Sequence, residues 1–228
     1  LRDEPGVHSS GDAIPEMVWI DFDLMREAPP HLIRGGIGDI LSCHTARWDW
    51  EYAVARGHTP AWDDHAAAES LRIVARLHEI APEIRERTDI GIRELMELHR
   101  LIGKMCDDYG HARFEEGSEH FFAYCFEFVN GHTSMHGELG SLGVLIMSAL
   151  QGNRPDYARD IVTRAGGHGN AVMPGLLVFG RQRGGGWNGL WRSCCCGFAT
   201  ALFSENIFEH GTSIQKKFRL HCDTERTA

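Results

Sequence analysis

The chain has no long hydrophobic run, no excess of positive charge and no cysteine spacing typical of a disulfide framework. Its longest apolar stretches, around 144–150 and 172–179, are well short of the ~20 residues that a transmembrane helix needs. The formal net charge of −9 argues against a nucleic-acid-binding surface. Seven cysteines, an odd number, favour the reducing cytoplasm over secretion. We therefore expect no membrane span and no nucleic-acid partner.

A Gly-rich dinucleotide-binding fingerprint after a strand is also missing, because the glycine-rich segment 35–38 is too short for one. The chain begins with Leu1, and residues 1–15 are polar with no apolar signal segment. A short apolar run predicts one strand at 17–21, and a single strand is not stable alone. We expect a fragment in which residues 1–30 are the remnant of a missing nucleotide-binding domain and its linker.

Helical periodicity dominates residues 31–166, which are predicted to form an all-helical domain with short connections. The predicted helices are 40–55, 63–80, 89–109, 118–129, 136–150 and 155–165. Gly57, Pro82 and Gly110 are the predicted stops of the first three. The segment 136–150 is apolar nearly all round, so we expect it to be a buried central helix. Residues 167–228, which contain three adjacent cysteines without Cys-x-x-Cys spacing, are predicted to be a divergent, poorly structured tail.

Three residues supply the ligand types of a divalent catalytic metal: one carboxylate and two imidazoles, with a position open for substrate. They are Asp39, His120 and His136, each at or near the start of a predicted helix. Taken alone, each has a structural alternative. Asp39 is a favoured helix N-cap type, His120 can be a core histidine bonded to a carbonyl, and His136 can be a first-turn residue. His136 can also pair with His132, one turn earlier, as a separate metal site.

At these motifs the chain resembles the sn-glycerol-1-phosphate dehydrogenases, within the superfamily of 3-dehydroquinate synthase, glycerol dehydrogenase and iron-containing alcohol dehydrogenases. The matching text is Gly-Ile-Gly-Asp-Ile-Leu-Ser at 36–42, Thr-Ala-Arg-Trp-Asp-Trp at 45–50, Gly-Ser-Glu-His at 117–120 and His-Gly-Glu at 136–138. The sixteen-residue step between the two histidines is also similar. The resemblance implies a mainly α, multi-helix C-terminal domain of the dehydroquinate-synthase-like fold, with one remnant strand from a missing Rossmann-like N-terminal domain.

The resemblance also implies a site. Asp39, His120 and His136 would bind zinc, or another divalent metal such as iron, and NAD(P) would bind through the missing N-terminal domain. The implied reaction interconverts dihydroxyacetone phosphate and sn-glycerol 1-phosphate for phospholipid biosynthesis, with the metal as a Lewis acid on the substrate oxygen. Asp39 would contact both metal and substrate. The partners expected are a small phosphorylated substrate and a second copy of the chain in a homo-oligomer, and this chain alone is expected to be inactive.

Tyr124 departs from the family pattern, in which a second histidine usually contacts substrate and helps to move protons. It lies four residues after His120, so both are predicted to face the same side of a helix. A phenol with a pKa of about 10 is a poor proton shuttle near neutrality. We expect the metal to survive this change more readily than turnover. The alternative is that Tyr124 only packs against neighbouring phenylalanines.

Four further residues have weaker predictions. Glu138 is a candidate for orienting a metal ligand, or for accepting hydrogen bonds from first-turn amides. Glu119 and Glu127 are predicted to be solvated or structural, and Cys125 to be a buried thiol. Two other functions stay open. One is a sugar-phosphate cyclase like 3-dehydroquinate synthase, whose motif has the histidine that Tyr124 replaces. The other is a catalytically inactive truncated homologue.

Overall fold

The computed structural model describes residues 17–130 and 134–167. Its helices are α1 (Phe22–Glu27), α2 (Pro30–Leu41), α3 (Cys43–Val54), α4 (Asp64–Glu86), α5 (Asp89–Tyr109), α6 (Ser118–Asn130), α7 (His136–Gln151) and α8 (Pro155–Arg164). No strand occurs in these two ranges, so the mainly α prediction is confirmed for them. Apart from Gly167, the predicted tail lies outside the described residues, as do residues 1–16.

The predicted strand at 17–21 is wrong. These residues have no regular secondary structure, and α1 begins directly after them at Phe22. The Asp21 carboxylate accepts hydrogen bonds from the amides of Asp23 and Leu24, each at 3.0 Å, and so caps α1. A strand needs a partner for its backbone groups, and the described part of the chain contains no second strand.

The predicted helix over 40–55 is two helices, α2 and α3, separated by Ser42. Pro30 occupies the first position of α2, where its missing N–H costs nothing. Asp39 therefore lies in the last turn of α2, and its predicted position at a helix start is wrong. Glycines 35, 36 and 38 lie within α2, although glycine is a poor helix former.

Pro82 does not end α4, which continues to Glu86. The proline removes one backbone hydrogen bond, but the buried side chains of Leu77, Ile80 and Ile84 hold α4 against the core on both sides of it. The remaining helices match the predictions closely: α5 has the predicted bounds, and α6, α7 and α8 differ from theirs by one residue. Gly110 ends α5 in the left-handed region, at φ 67°.

The chain divides into two compact units. One comprises Val18–Ala123 and Ser134–Val172, and the second includes Tyr124–Thr133. The first unit holds the apolar core, in which Trp50, Leu77 and Leu95 are almost fully buried. Among the described residues, every helix is too short or too polar to cross a membrane.

Candidate metal centre

Two helices of the first unit, α2 and α7, touch through their backbones. A Cβ atom added to Gly38 would overlap the carbonyl oxygen of Gly137, and one added to Gly137 would overlap that of Gly35. Any side chain at either of these positions would push the helices apart. Asp39 and His136 directly neighbour these two glycines, and Asp39 Oδ1 lies 4.0 Å from His136 Nε2.

His120 enters the same place from the first turn of α6. Here too the approach depends on glycine, because a Cβ at Gly143 of α7 would lie 2.7 Å from the carbonyl oxygen of Glu119. The ring centroids of His120 and His136 are 5.1 Å apart, with an angle of 49° between the rings. One ligand atom from each of Asp39, His120 and His136 lies within 4.8 Å of the other two. The structure thus brings the three predicted residues together.

The donor set fits a divalent metal. Ligand atoms about 2.1 Å from a tetrahedral zinc lie about 3.4 Å apart, so a small closure of this cluster would suffice. Asp39 Oδ1 is buried and has no hydrogen-bond partner among the described residues. A buried carboxylate oxygen in that state is costly unless a cation compensates it. Carboxylate oxygen and imidazole nitrogen are both ordinary zinc ligands.

Glu119, for which no role in the site is predicted from the sequence, contacts His120. The Glu119 side chain is completely buried, so its predicted alternative as a solvated residue is wrong. Its Oε1 lies 2.9 Å from His120 Nδ1 and accepts from the Gly117 amide at 2.6 Å. Its Oε2 accepts from the Thr45 hydroxyl at 2.6 Å. The partner of His120 Nδ1 is therefore a carboxylate rather than a backbone carbonyl.

The charges around His120 are mostly acidic. Burial lowers the pKa of His120, but the hydrogen bond and charge of Glu119, together with Glu116 and Glu115, outweigh burial and raise the pKa to about 9. Burial raises the pKa of Glu115 to about 7, against the opposing effect of His120. A site surrounded by carboxylates favours a cation, and a metal at His120 must displace a proton.

Asp49 of α3 anchors the start of α6. Asp49 Oδ2 accepts from the amide of Ser118, the first residue of α6, at 2.8 Å, and Oδ1 accepts from Gln151 Nε2 at 3.0 Å. Burial, with the charge of Glu119, raises the pKa of Asp49 to about 7. A Cβ at Gly117 would lie 2.8 Å from Asp49 Oδ2, so glycine is needed there. The signal that could have found Asp49 and Thr45 is the family-like segment 45–50.

The other predicted residues lie on α6 and α7 or outside the described ranges. Glu138 forms an ion pair with Arg34 of α2, from Oε1 to Nη2 at 3.3 Å. Glu127 is buried, so the solvated alternative is wrong for it as well. Tyr124 lies on α6 in the second compact unit, and its role stays a prediction. His132 lies outside the described residues.

No protein-family profile matches the chain. It is similar to an Aeropyrum pernix protein, 31% identical over 162 residues that cover 71% of this chain and 46% of that protein. A Thermococcus kodakarensis protein is 28% identical over 172 residues, which cover 75% of this chain and 49% of that protein. A Saccharolobus solfataricus protein is 31% identical over 138 residues, which cover 60% of this chain and 39% of that protein. Each is named as an NAD(P)+ glycerol-1-phosphate dehydrogenase.

Over 60–75% of its length the chain is similar to glycerol-1-phosphate dehydrogenases. The resemblance that the motifs predicted is thereby confirmed. The matched region spans about half or less of the length of these relatives. The three converging side chains all lie in the helical unit that the structure describes.

Proposed function

We propose that this chain is the metal-binding part of an NAD(P)-linked oxidoreductase that interconverts dihydroxyacetone phosphate and sn-glycerol 1-phosphate. The convergence of Asp39, His120 and His136 from three helices is the observation that carries the proposal. The names of the relatives support the reaction class and the coenzyme. Zinc, or another divalent metal such as iron, would be held by these three residues and would supply Lewis acidity toward the substrate oxygen.

The buried ligand and the partly exposed ligands would have different roles. His120 is buried and held by Glu119, so its ring would stay in place when substrate enters. The side chains of Asp39 and His136 are 38% and 27% exposed, so both remain reachable by a small ligand. Asp39 has one buried oxygen for a metal and a second oxygen that can accept a hydrogen bond from a substrate hydroxyl.

Proton transfer would be the weak step of this chain. Tyr124 can donate a hydrogen bond to substrate, but a phenol gives up its proton reluctantly near neutral pH. NAD(P) would bind to a nucleotide-binding domain outside this chain, in the cytoplasm, and a homo-oligomer remains a prediction. Restoring histidine at this position, Tyr124→His, in a complete two-domain protein should raise turnover and leave metal affinity nearly unchanged.

The first test is metal binding with substrate. Titration of the purified chain with zinc should give one ion per chain, and dihydroxyacetone phosphate should bind to the zinc-loaded chain more tightly than to His136→Ala. No zinc binding would contradict the metal centre. A second assay follows oxidation of NADH or NADPH with dihydroxyacetone phosphate: the chain alone should be inactive, and turnover by it would contradict the fragment interpretation. Phosphate release from a heptulosonate phosphate would instead indicate a cyclase.

A further inference from the structure

The Glu119 carboxylate is held from two helices. Within α6 and its N-terminal turn, Oε1 accepts from the Gly117 amide at 2.6 Å and contacts His120 Nδ1 at 2.9 Å. From α3, the Thr45 hydroxyl donates to Oε2 at 2.6 Å. The Thr45 side chain is itself fully buried. Each carboxylate oxygen therefore has a donor of its own, and the donor to Oε2 is fixed in the core.

The backbone beneath Glu119 is equally confined. A Cβ at Gly143 of α7 would lie 3.0 Å from both Cα and Cβ of Glu119, so α7 presses directly on this residue. At 0% exposure the side chain has no route to solvent. Burying a carboxylate is costly without hydrogen bonds and a nearby cation. Thr45 and Gly117 donate hydrogen bonds to Glu119, and the compensating positive charge must lie at or beyond His120.

A carboxylate can only accept hydrogen bonds, so its partner nitrogen on a neutral histidine must carry the proton. The contact at 2.9 Å thus assigns the proton of neutral His120 to Nδ1 and leaves the lone pair on Nε2. Metal-binding histidines typically donate the other ring N–H to a carboxylate or carbonyl, which sets the tautomer and strengthens the ligand.

We propose that Glu119, held by Thr45 and Gly117, is a positioning residue that fixes the tautomer and ring orientation of His120 so that a divalent metal is bound through Nε2. The proposal rests on the proposed metal centre and extends it with Glu119 and its partners Thr45 and Gly117, for which the sequence predicts no role in the site. Glu119 would act through His120 and would contact neither metal nor substrate.

The test compares zinc affinity, by competition with a chromophoric chelator, among the wild-type chain, Glu119→Gln and Thr45→Val. The matched control is Glu97→Gln, which removes the same charge from an exposed residue paired with Arg100. Glu119→Gln should weaken zinc binding about 10- to 100-fold, because glutamine keeps the shape but loses the charge. Thr45→Val should give a smaller loss in the same direction, and the control should match the wild type.

Two spectroscopic measurements separate positioning from folding. The visible absorption of the cobalt-loaded chain should change in Glu119→Gln and stay unchanged in Glu97→Gln. In the zinc-loaded wild type, nitrogen NMR should show the His120 proton on Nδ1, a result that needs no variant to fold. A proton on Nε2, or a Glu119→Gln protein with wild-type zinc affinity and cobalt spectrum, would overturn the role of Glu119 and leave the metal centre unaffected. Failure of the wild type to bind zinc would instead overturn the metal centre itself.

Discussion

Two regions bring the site together by opposite means. Where α2 crosses α7, Gly38 and Gly137 lack side chains, and the backbones themselves make the contact. Where α3 meets α6, the buried polar groups of Thr45, Asp49 and Glu119 make it through hydrogen bonds. The first contact should be intolerant of added volume and indifferent to pH. The second should tolerate isosteric changes but respond to charge. This contrast yields three predictions.

Adding a methyl group at the helix crossing should have the largest effect. Gly137→Ala would overlap the Gly35 carbonyl oxygen, which belongs to the backbone and cannot rotate away. We expect a loss of about 3 kcal/mol in the free energy of unfolding, measured with urea, together with loss of zinc binding.

The control for this change is Gly103→Ala in α5, where an added Cβ meets nothing within 4 Å. It should raise the free energy of unfolding by about 0.5–1 kcal/mol, because alanine is the better helix former. Equal effects of the two substitutions would show that the crossing is looser than its geometry indicates.

Removing a ligand should be severe for the metal and mild for the fold. His136→Ala removes one of three ligand atoms at the edge of the site, where the side chain is 27% exposed. Zinc affinity should fall about 100-fold or more, or about 2.7 kcal/mol. The free energy of unfolding of the metal-free chain should change by less than about 1 kcal/mol. A large loss of metal-free stability would mean that His136 is chiefly structural.

The smallest effect should be a pH dependence confined to the polar contact. Burial raises the pKa of Asp49 from 3.8 in the unfolded chain to about 7 in the folded one. The folded state thus binds the proton more tightly. The contribution of Asp49 to stability is complete below pH 3.8 and is lost as the pH rises through about 7.

Asp49→Asn should remove this dependence. The free energy of unfolding of the wild type should fall relative to that of Asp49→Asn as the pH rises between those two pKa values, because only the wild type loses a proton from this side chain. Urea unfolding at several pH values measures the difference between the two proteins, in which titrating groups that do not interact with Asp49 cancel. If the free energies of unfolding of the two proteins changed equally with pH, the Asp49 carboxylate would not titrate as its burial indicates.

Local signals predicted the later helices well. Thr88 accepts a hydrogen bond from the Gly91 amide at 3.1 Å and caps α5, and Gly110 ends it. Residues next to the helix therefore set both of its boundaries. Pro155 at the start of α8 works in the same way. The failures at 17–21 and around Asp39 have the opposite origin. An apolar run without a partner strand stays irregular, and the glycines of α2 are helical because α7 packs on them.

The residue types at positions 39, 120 and 136 already specify what such a site can bind, because a carboxylate and two imidazoles are ligands wherever they meet. Only the fold decides that they do meet, through glycines whose missing side chains let α2, α6 and α7 approach. Only the fold adds Thr45 to Glu119 and Asp49 to Ser118, pairs 74 and 69 residues apart in the chain. Helical periodicity describes one helix at a time, and hydrogen bonds between helices depend on where the other helix lies.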